Sequence, residues 1–194
     1  ENIANVVSER PKDRINLCYF GGVTPEKNVD VVIKAFDMLC KKYDDVFLTI
    51  IGGSGFSKEY VKDIDAMIDN SPYKSHIVRK GLTPFAEIKE IMQSQHFFVF
   101  PSKERCEGHS NSLNEAMAQG LVPIVSDYHF NRAIVGDDRL IVDGYEPKAY
   151  AEKIDWLRNN CDMRALSLQM RDRVRDNFSF DIVNNRIYKE LKKL

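Results

Sequence analysis

The sequence predicts an α/β fold, a parallel sheet with helices on both faces, and three observations carry that expectation. Short apolar runs at residues 15–20, 46–51, 97–100 and 122–125 alternate with longer stretches whose apolar residues recur at helical spacing. The early runs close on glycine, at Gly21-Gly22, Gly52-Gly53 and, after a shorter run, Gly81. The runs are apolar almost throughout rather than at every second residue, as strands covered on both faces are. Strands that alternate with helices build parallel sheets whose ligands bind beyond the carboxyl ends of the strands.

Taken in order, residues 1–14 are polar and unpatterned, and Arg10-Pro11-Lys12-Asp13 marks a linker from something upstream. The strand at 15–20 runs into Gly21-Gly22. Thr24-Pro25 then reads as a helix cap and first helical position, and Val29, Val32, Ile33, Phe36 and Leu39 carry one helix to about Lys42. The strand at 46–51 ends in Gly52-Gly53-Ser54-Gly55 and is followed by a helix with Tyr60, Ile64, Met67 and Ile68 on one face. A short strand at Ile77 and Val78 ends at Gly81, and residues 84–93 make a helix around Phe85, Ile88, Ile91 and Met92. After the strand at 97–100 and the loop beyond it comes a helix with Leu113, Ala116 and Met117. Strand 122–125, a short piece near 131–135 and strand 140–142 follow. From Pro147 onward the chain is helical, with apolar stripes at Tyr150, Ile154 and Leu157, at Leu166, Met170 and Val174, and along 182–191. The expected division is a linker at 1–14, an α/β domain at 15–178 and a C-terminal helix at 179–194.

Charge and cysteine usage narrow the function classes. The net charge of −1 comes from 28 basic and 29 acidic residues spread along the 194, without the basic excess of a nucleic-acid-binding surface. Nucleic acid is therefore not an expected partner. Cys18, Cys40, Cys106 and Cys161 are scattered, with no Cys-x-x-Cys pair and no histidine at ligand spacing, which suits reduced thiols in a cytoplasm better than a zinc site or disulfide framework. No apolar run approaches the roughly 20 residues of a spanning helix.

The stretch Glu107-Gly108-His109-Ser110-Asn111-Ser112-Leu113-Asn114-Glu115 ends a strand and opens a helix. Backbone N–H groups at a helix start lack internal partners and sit at the positive end of the dipole, so an anion, phosphate first, is the expected ligand. A plainer reading stands beside it: Ser112-Leu113-Asn114-Glu115 is a capping-box pattern, in which Glu115 ties back to its own helix start. The glycine turns do not spell Gly-x-Gly-x-x-Gly, no Gly-Lys-Ser/Thr announces a P-loop, and Asp63 and Asp65 diverge within a helix instead of pairing on a metal.

Several residues carry a family resemblance. Pro101-Ser102, Glu107-Gly108, Glu115-Ala116-Met117-Ala118, Gly120, Pro123 and Ser126 resemble the signature of the retaining family 4 glycosyltransferases (glycosyl transferases group 1) of GT-B fold, with two glutamates separated by seven residues. Gly21 with Thr24-Pro25-Glu26-Lys27, Gly52-Gly53 and residues 76–81 follow the family's order, so the similarity covers roughly residues 15–191. It implies the Rossmann-like, nucleotide-sugar-binding C-terminal half of a GT-B enzyme, with the acceptor-binding N-terminal half absent and little transfer by this half alone.

The resemblance implies roles residue by residue. Glu115 would hold the ribose hydroxyls, and the N–H groups of Ser112 and Leu113 would cradle the diphosphate. Glu107 would lie against the donor sugar, with Gly108, His109, Ser110 and Asn111 around it. Lys27 would neutralise the departing diphosphate as a fixed cation. Gly21 and Gly22 would approach the phosphates, and Leu82 would meet the base through its backbone. No cofactor and no metal are implied beyond the nucleoside-diphosphate sugar, and the acceptor would be a glycan, lipid or small molecule on the absent half, with peripheral membrane contact left open.

Three positions depart from the pattern. Gly22 stands where the family usually has an arginine paired with the lysine, and His109 and Ser110 replace its phenylalanine and glycine. Gly22 keeps a non-catalytic nucleotide-sugar-binding or interaction module open as an alternative, and a nucleotide-sugar epimerase of the same fold is the other.

Overall fold

The computed structural model describes residues 3–53, 57–103, 109–128 and 130–193. Six strands, β1 (Ile15–Phe20), β2 (Val46–Ile51), β3 (Ile77–Lys80), β4 (Phe97–Phe100), β5 (Val122–Ser126) and β6 (Ile141–Val142), form one sheet in the order β3-β2-β1-β4-β5-β6. Every neighbouring pair is parallel. The direction of growth reverses between β1 and β4, so a crevice opens there at the carboxyl edge.

The helices are α1 (Val29–Cys40), α2 (Lys58–Asn70), α3 (Phe85–Met92), α4 (Asn111–Ala118), α5 (Asn131–Val135), α6 (Pro147–Asn160), α7 (Met163–Phe178) and α8 (Phe180–Leu191). Right-handed crossovers on the two sides of the reversal place helices on both faces. On one face α1 packs against α2 and α6, and on the other α4 packs against α7. The central strands β1, β4 and β5 are buried along their whole length, as their apolar sequences require. Leu17 lies between Leu48 and Phe97 in register, and Phe98 packs its ring among Tyr19, Phe20 and Phe100.

Four boundaries differ from the sequence reading. The expected single helix from Pro25 to Lys42 is a 3-10 turn at Pro25–Lys27, a left-handed Asn28 at φ 50°, and then α1. Asn28 tolerates that conformation and uses its side chain, whose amide donates to the carbonyl of Pro101 at 2.8 Å. The third strand continues to Lys80 because Arg79 and Lys80 keep register with Ile50 and Ile51. The piece at 131–135 is a helical turn closed by Gly136 in the left-handed region, and Leu140 ends a 3-10 turn before β6.

Residues 3–14 contain no regular element, as expected, but they are bound closely to the folded body. Val7 is 2% exposed and packs beside Gly120. The Arg164 guanidinium donates to the carbonyl of Val7 at 2.8 Å, and that of Arg171 to Asn5 at 3.0 Å. His96, just before β4, accepts from the Asn16 N–H at Nδ1 (3.0 Å) and meets the Pro11 carbonyl with Nε2 (2.9 Å). Burial, with lesser contributions from the charges of Arg10 and Arg158, lowers the His96 pKa to about 4.

At the other end of the chain, α8 turns Phe180, Val183, Ile187 and Leu191 to solvent. Among the described residues, no helix is long and apolar enough to cross a membrane.

Candidate functional site

The glycine turns meet at the carboxyl edge of β1, β2 and β3. Gly21 (φ 144°) and Gly52 (φ 143°) both adopt backbone conformations that side chains disfavour. A Cβ on Gly52 would overlap the Gly21 carbonyl oxygen, so glycine there is a condition of the two turns touching. The Val23 N–H donates to the Gly53 carbonyl at 2.9 Å and locks the turns together. Gly22 is different: a Cβ there would meet only Thr24 Cγ2, at 3.7 Å, so the backbone does not demand glycine. Its carbonyl accepts the Tyr19 hydroxyl at 2.6 Å. The strand pattern hides this role of Tyr19; a lone hydroxyl in an otherwise apolar run is the available signal.

A cavity of about 620 Å3 opens over these turns, lined by Gly21, Gly22, Gly53, Leu82, Thr83 and Ile88 among others. Leu82 is 92% exposed and reaches over Gly53, so its side chain as well as its backbone forms the rim. That adds an apolar wall to the backbone contact the resemblance implies.

Across the switch point lies the start of α4. Ser110 is the N-cap, its hydroxyl accepting from the Leu113 N–H at 3.4 Å and lying 3.2 Å from the Ser112 hydroxyl. The capping-box alternative is thereby corrected: Ser112 sits inside the first turn, and Glu115 lies too far along the helix to close a box from Ser110. The Leu113 N–H is partly taken by this long bond, whereas the N–H groups of Asn111 and Ser112 have no bond to a described residue. Gly21 faces this helix start, with the Ser112 hydroxyl 3.9 Å from where a Gly21 Cβ would stand. The first glycine turn and the open amides thus share one crevice.

Glu115 follows one turn on. Its carboxylate is half-buried, has no hydrogen bond or ion pair to a described residue, and has its pKa raised by burial alone. A desolvated carboxylate with no partner among the described residues costs stability rather than adding to it.

Lys27, in the 3-10 turn after β1, is 8% exposed, with its ammonium 5.3 Å from the centre of the Phe100 ring. The bond from Asn28 to Pro101 and another from the Lys103 N–H to the Glu26 carbonyl (2.8 Å) hold that turn against the end of β4. Lys27 is thus buried in the turn, not displayed at the surface as a first-turn lysine commonly is. His109 is exposed, its Nε2 facing the Asn114 side-chain amide and its ring edge-on to Phe178 at 4.7 Å. Glu107 and Gly108 lie outside the described residues. Gly21, Gly22, Lys27, Leu82, Ser110, Asn111, Ser112, Leu113 and Glu115 are thus arranged around one edge of the sheet.

A second cavity, of about 450 Å3, lies at the opposite, amino edge among Arg10, Lys12, His96, Arg158 and Arg164. Its arginines are engaged: Arg158 pairs with Asp45, Arg10 bonds the carbonyls of Gln93 and Gln119, and Arg164 bonds Val7.

The family model of glycosyl transferases group 1 matches residues 2–176. An uncharacterized glycosyltransferase of Methanocaldococcus jannaschii is 27% identical over 140 residues, which cover 72% of this chain and 33% of that protein. The capsular polysaccharide biosynthesis glycosyltransferase CapM of Staphylococcus aureus is 25% identical over 177 residues, 88% of this chain and 44% of that protein. The chain therefore spans from a third to less than half of these relatives. Among solved structures, Anabaena HepE in complex with UDP superposes with a TM-score of 0.82 at 17% identity, over 94% of this chain and 50% of that one. The pneumococcal O-GlcNAc transferase GtfA in complex with UDP and GlcNAc superposes at 0.76 with 20% identity, over 98% and 38%.

Proposed function

We propose, for a chain that belongs to the glycosyl transferases group 1 family and has the Rossmann-like fold of a GT-B half, that the carboxyl edge of the sheet binds a nucleoside-diphosphate sugar. The whole protein is read as a retaining family 4 glycosyltransferase that works without a metal. HepE and GtfA are held with UDP in their structures, which makes a uridine nucleotide the first to test.

The observation that carries this reading is Glu115, a half-buried carboxylate with no partner among the described residues, placed beside the open amides of α4. A carboxylate accepts two ribose hydroxyl protons, and helix-start amides bind a diphosphate. In the reaction, the bond between the sugar and the diphosphate oxygen breaks while the acceptor oxygen bonds to the same face of the sugar. The departing phosphate oxygen takes the acceptor's proton. Lys27 stabilises the charge that develops on the diphosphate, Glu107 lies against the sugar, and positioning supplies much of the rest. The acceptor, a glycan, lipid or small molecule, binds a half of the protein beyond this chain, so the chain alone binds nucleotide and transfers little.

Calorimetric titration of the chain with UDP, GDP and ADP tests this reading. One of them binds, and Glu115→Ala weakens it at least tenfold. Binding of none, or equal binding by the variant, would contradict the assignment.

A second reading has one observation in its favour. Gly22 removes a cation that the resemblance leads one to expect, although the backbone has room for a side chain there. A module that binds the nucleotide sugar without transferring it would need no second cation. Donor consumption by the full-length protein in the presence of acceptor separates the two.

A further inference from the structure

Phe178 ends α7, distant in sequence from every residue assigned above, yet its ring is the aromatic contact of His109. The two rings meet edge to face, with centroids 4.7 Å apart and planes inclined by 65°. Edge-to-face geometry sets the positive rim of one ring against the negative face of the other, and it fixes orientation as well as distance.

The Phe178 ring is itself held from another direction. The Arg173 guanidinium lies 5.8 Å from its centre, and that guanidinium is anchored in turn by donating from Nε to the carbonyl of Ile134 and from Nη2 to that of Ala133, each at 2.5 Å. Gly136 leaves the space: a Cβ there would overlap the guanidinium. The end of α5 thus fixes Arg173, which fixes Phe178, which fixes one side of His109. The other side of the imidazole faces the Asn114 amide through Nε2. With the amide nitrogen as donor, Nε2 accepts and the ring proton resides on Nδ1, the edge that remains to donate to a ligand hydroxyl.

We infer that Phe178 is a positioning residue for the sugar part of the donor, acting by holding His109 where the chain enters α4. The inference rests on the donor-site reading above. The nucleotide and the sugar fall to different residues in that reading: Ser112, Leu113 and Glu115 serve the former, and Glu107, Gly108, His109, Ser110 and Asn111 serve the latter. Loss of the Phe178 ring therefore acts on the sugar and spares the nucleotide. A residue that merely filled the core would weaken both in the same proportion, or neither.

The test compares affinities for UDP, UDP-glucose and UDP-N-acetylglucosamine, with GDP and GDP-mannose in parallel, in the unaltered chain and in Phe178→Ala, Phe178→Tyr, His109→Ala and the double variant. Phe178→Ala is expected to leave nucleoside diphosphate affinity within twofold and to lose at least fivefold of the affinity ratio of nucleotide sugar to diphosphate. Phe178→Tyr restores the ratio, and Phe178→Ala adds nothing once His109 is alanine. Should Phe178→Ala fail to fold, Phe178→Leu, which keeps most of the volume and removes the ring, carries the same expectation. A proportional fall for both ligand classes, an unchanged ratio, additive effects of the two substitutions, or an unaltered chain that binds the sugars no better than the diphosphates would overturn the inference. Failure of the unaltered chain to bind any diphosphate would instead remove the donor-site reading, and this inference with it.

Discussion

Gly52 approaches Gly21 so closely that a Cβ on Gly52 would overlap the Gly21 carbonyl oxygen and stand 2.9 Å from its carbonyl carbon. Gly52 also has φ 143°, which an alanine adopts only with strain. Both penalties fall on backbone at the carboxyl edge of β1 and β2, where no flexible side chain can yield. Gly52→Ala is expected to lower unfolding stability by about 3 kcal/mol or more, measured by urea denaturation. It should also weaken nucleotide binding in whatever fraction remains folded. A loss under about 1 kcal/mol would show that the turns separate freely.

Gly22 gives the opposite expectation. A Cβ there meets only Thr24, at an ordinary 3.7 Å, and no positive φ requires glycine. Gly22→Arg should therefore fold normally and place a guanidinium at the phosphate side of the cavity, where a charge-assisted hydrogen bond is worth about 1.5–3 kcal/mol. At this exposed edge a gain of about tenfold in diphosphate affinity is expected by calorimetry, since tenfold corresponds to about 1.4 kcal/mol. Unchanged affinity would place the diphosphate away from β1.

Glu115 makes binding depend on pH in a defined direction. Burial raises its pKa above the usual 4.5, so it takes up a proton at a higher pH than an ordinary glutamate. The protonated group loses its capacity to accept two ribose hydroxyls. Nucleotide affinity should therefore fall on acidification while exposed glutamates are still charged, and Glu115→Gln should flatten that profile. The same substitution relieves a desolvated charge and is expected to raise Tm while it weakens binding, the signature of a residue retained for its ligand. A Glu115→Gln protein that binds as tightly and melts lower would assign Glu115 to stability.

His96 sets a separate acid limit. Its pKa is lowered from 6.5 to about 4, so between those values the unfolded chain binds a proton that the native chain refuses. Stability is complete above pH 6.5 and falls as pH drops toward 4, by up to about 3 kcal/mol at the shift of 1.36 kcal/mol per unit. Protonation also ends the bond that Nδ1 accepts from the Asn16 N–H at the start of β1, while Nε2–H keeps its bond to the Pro11 carbonyl. Urea melts at pH 7.5 and 5.0 should differ by less in His96→Asn than in the unaltered chain. Equal differences would free His96 of that role.

The sheet was legible because its central strands are buried on both faces: the apolar runs of β1, β4 and β5 need no alternation, and their glycine or loop endings mark one edge. Distance in sequence concealed the rest. The break at Asn28 depends on Pro101, 73 residues on. The binding of residues 3–14 depends on His96, Arg164 and Arg171, each of which reads locally as surface. The helix start at 110–113 was legible in the sequence, but the cap belongs to Ser110 and not Ser112, because two serines two positions apart present the same pattern. Lys27 acquires its burial from Phe100, and Phe178 acquires its contact with His109 through the packing of α7 on α4, neither of which a local pattern encodes.

The central claim, that nucleotide binds at the carboxyl edge of the sheet between β1 and α4, is tested most directly by titrating the 15N-labelled chain with UDP, with GDP as the second nucleotide, and following its amide resonances. The account predicts that the largest shifts fall on Gly21, Gly22, Ser112, Leu113 and Glu115, with Gly53 and Leu82 following. Shifts centred instead on Lys12, His96 and Arg164, at the amino-edge cavity, would contradict it, as would no shift with either nucleotide.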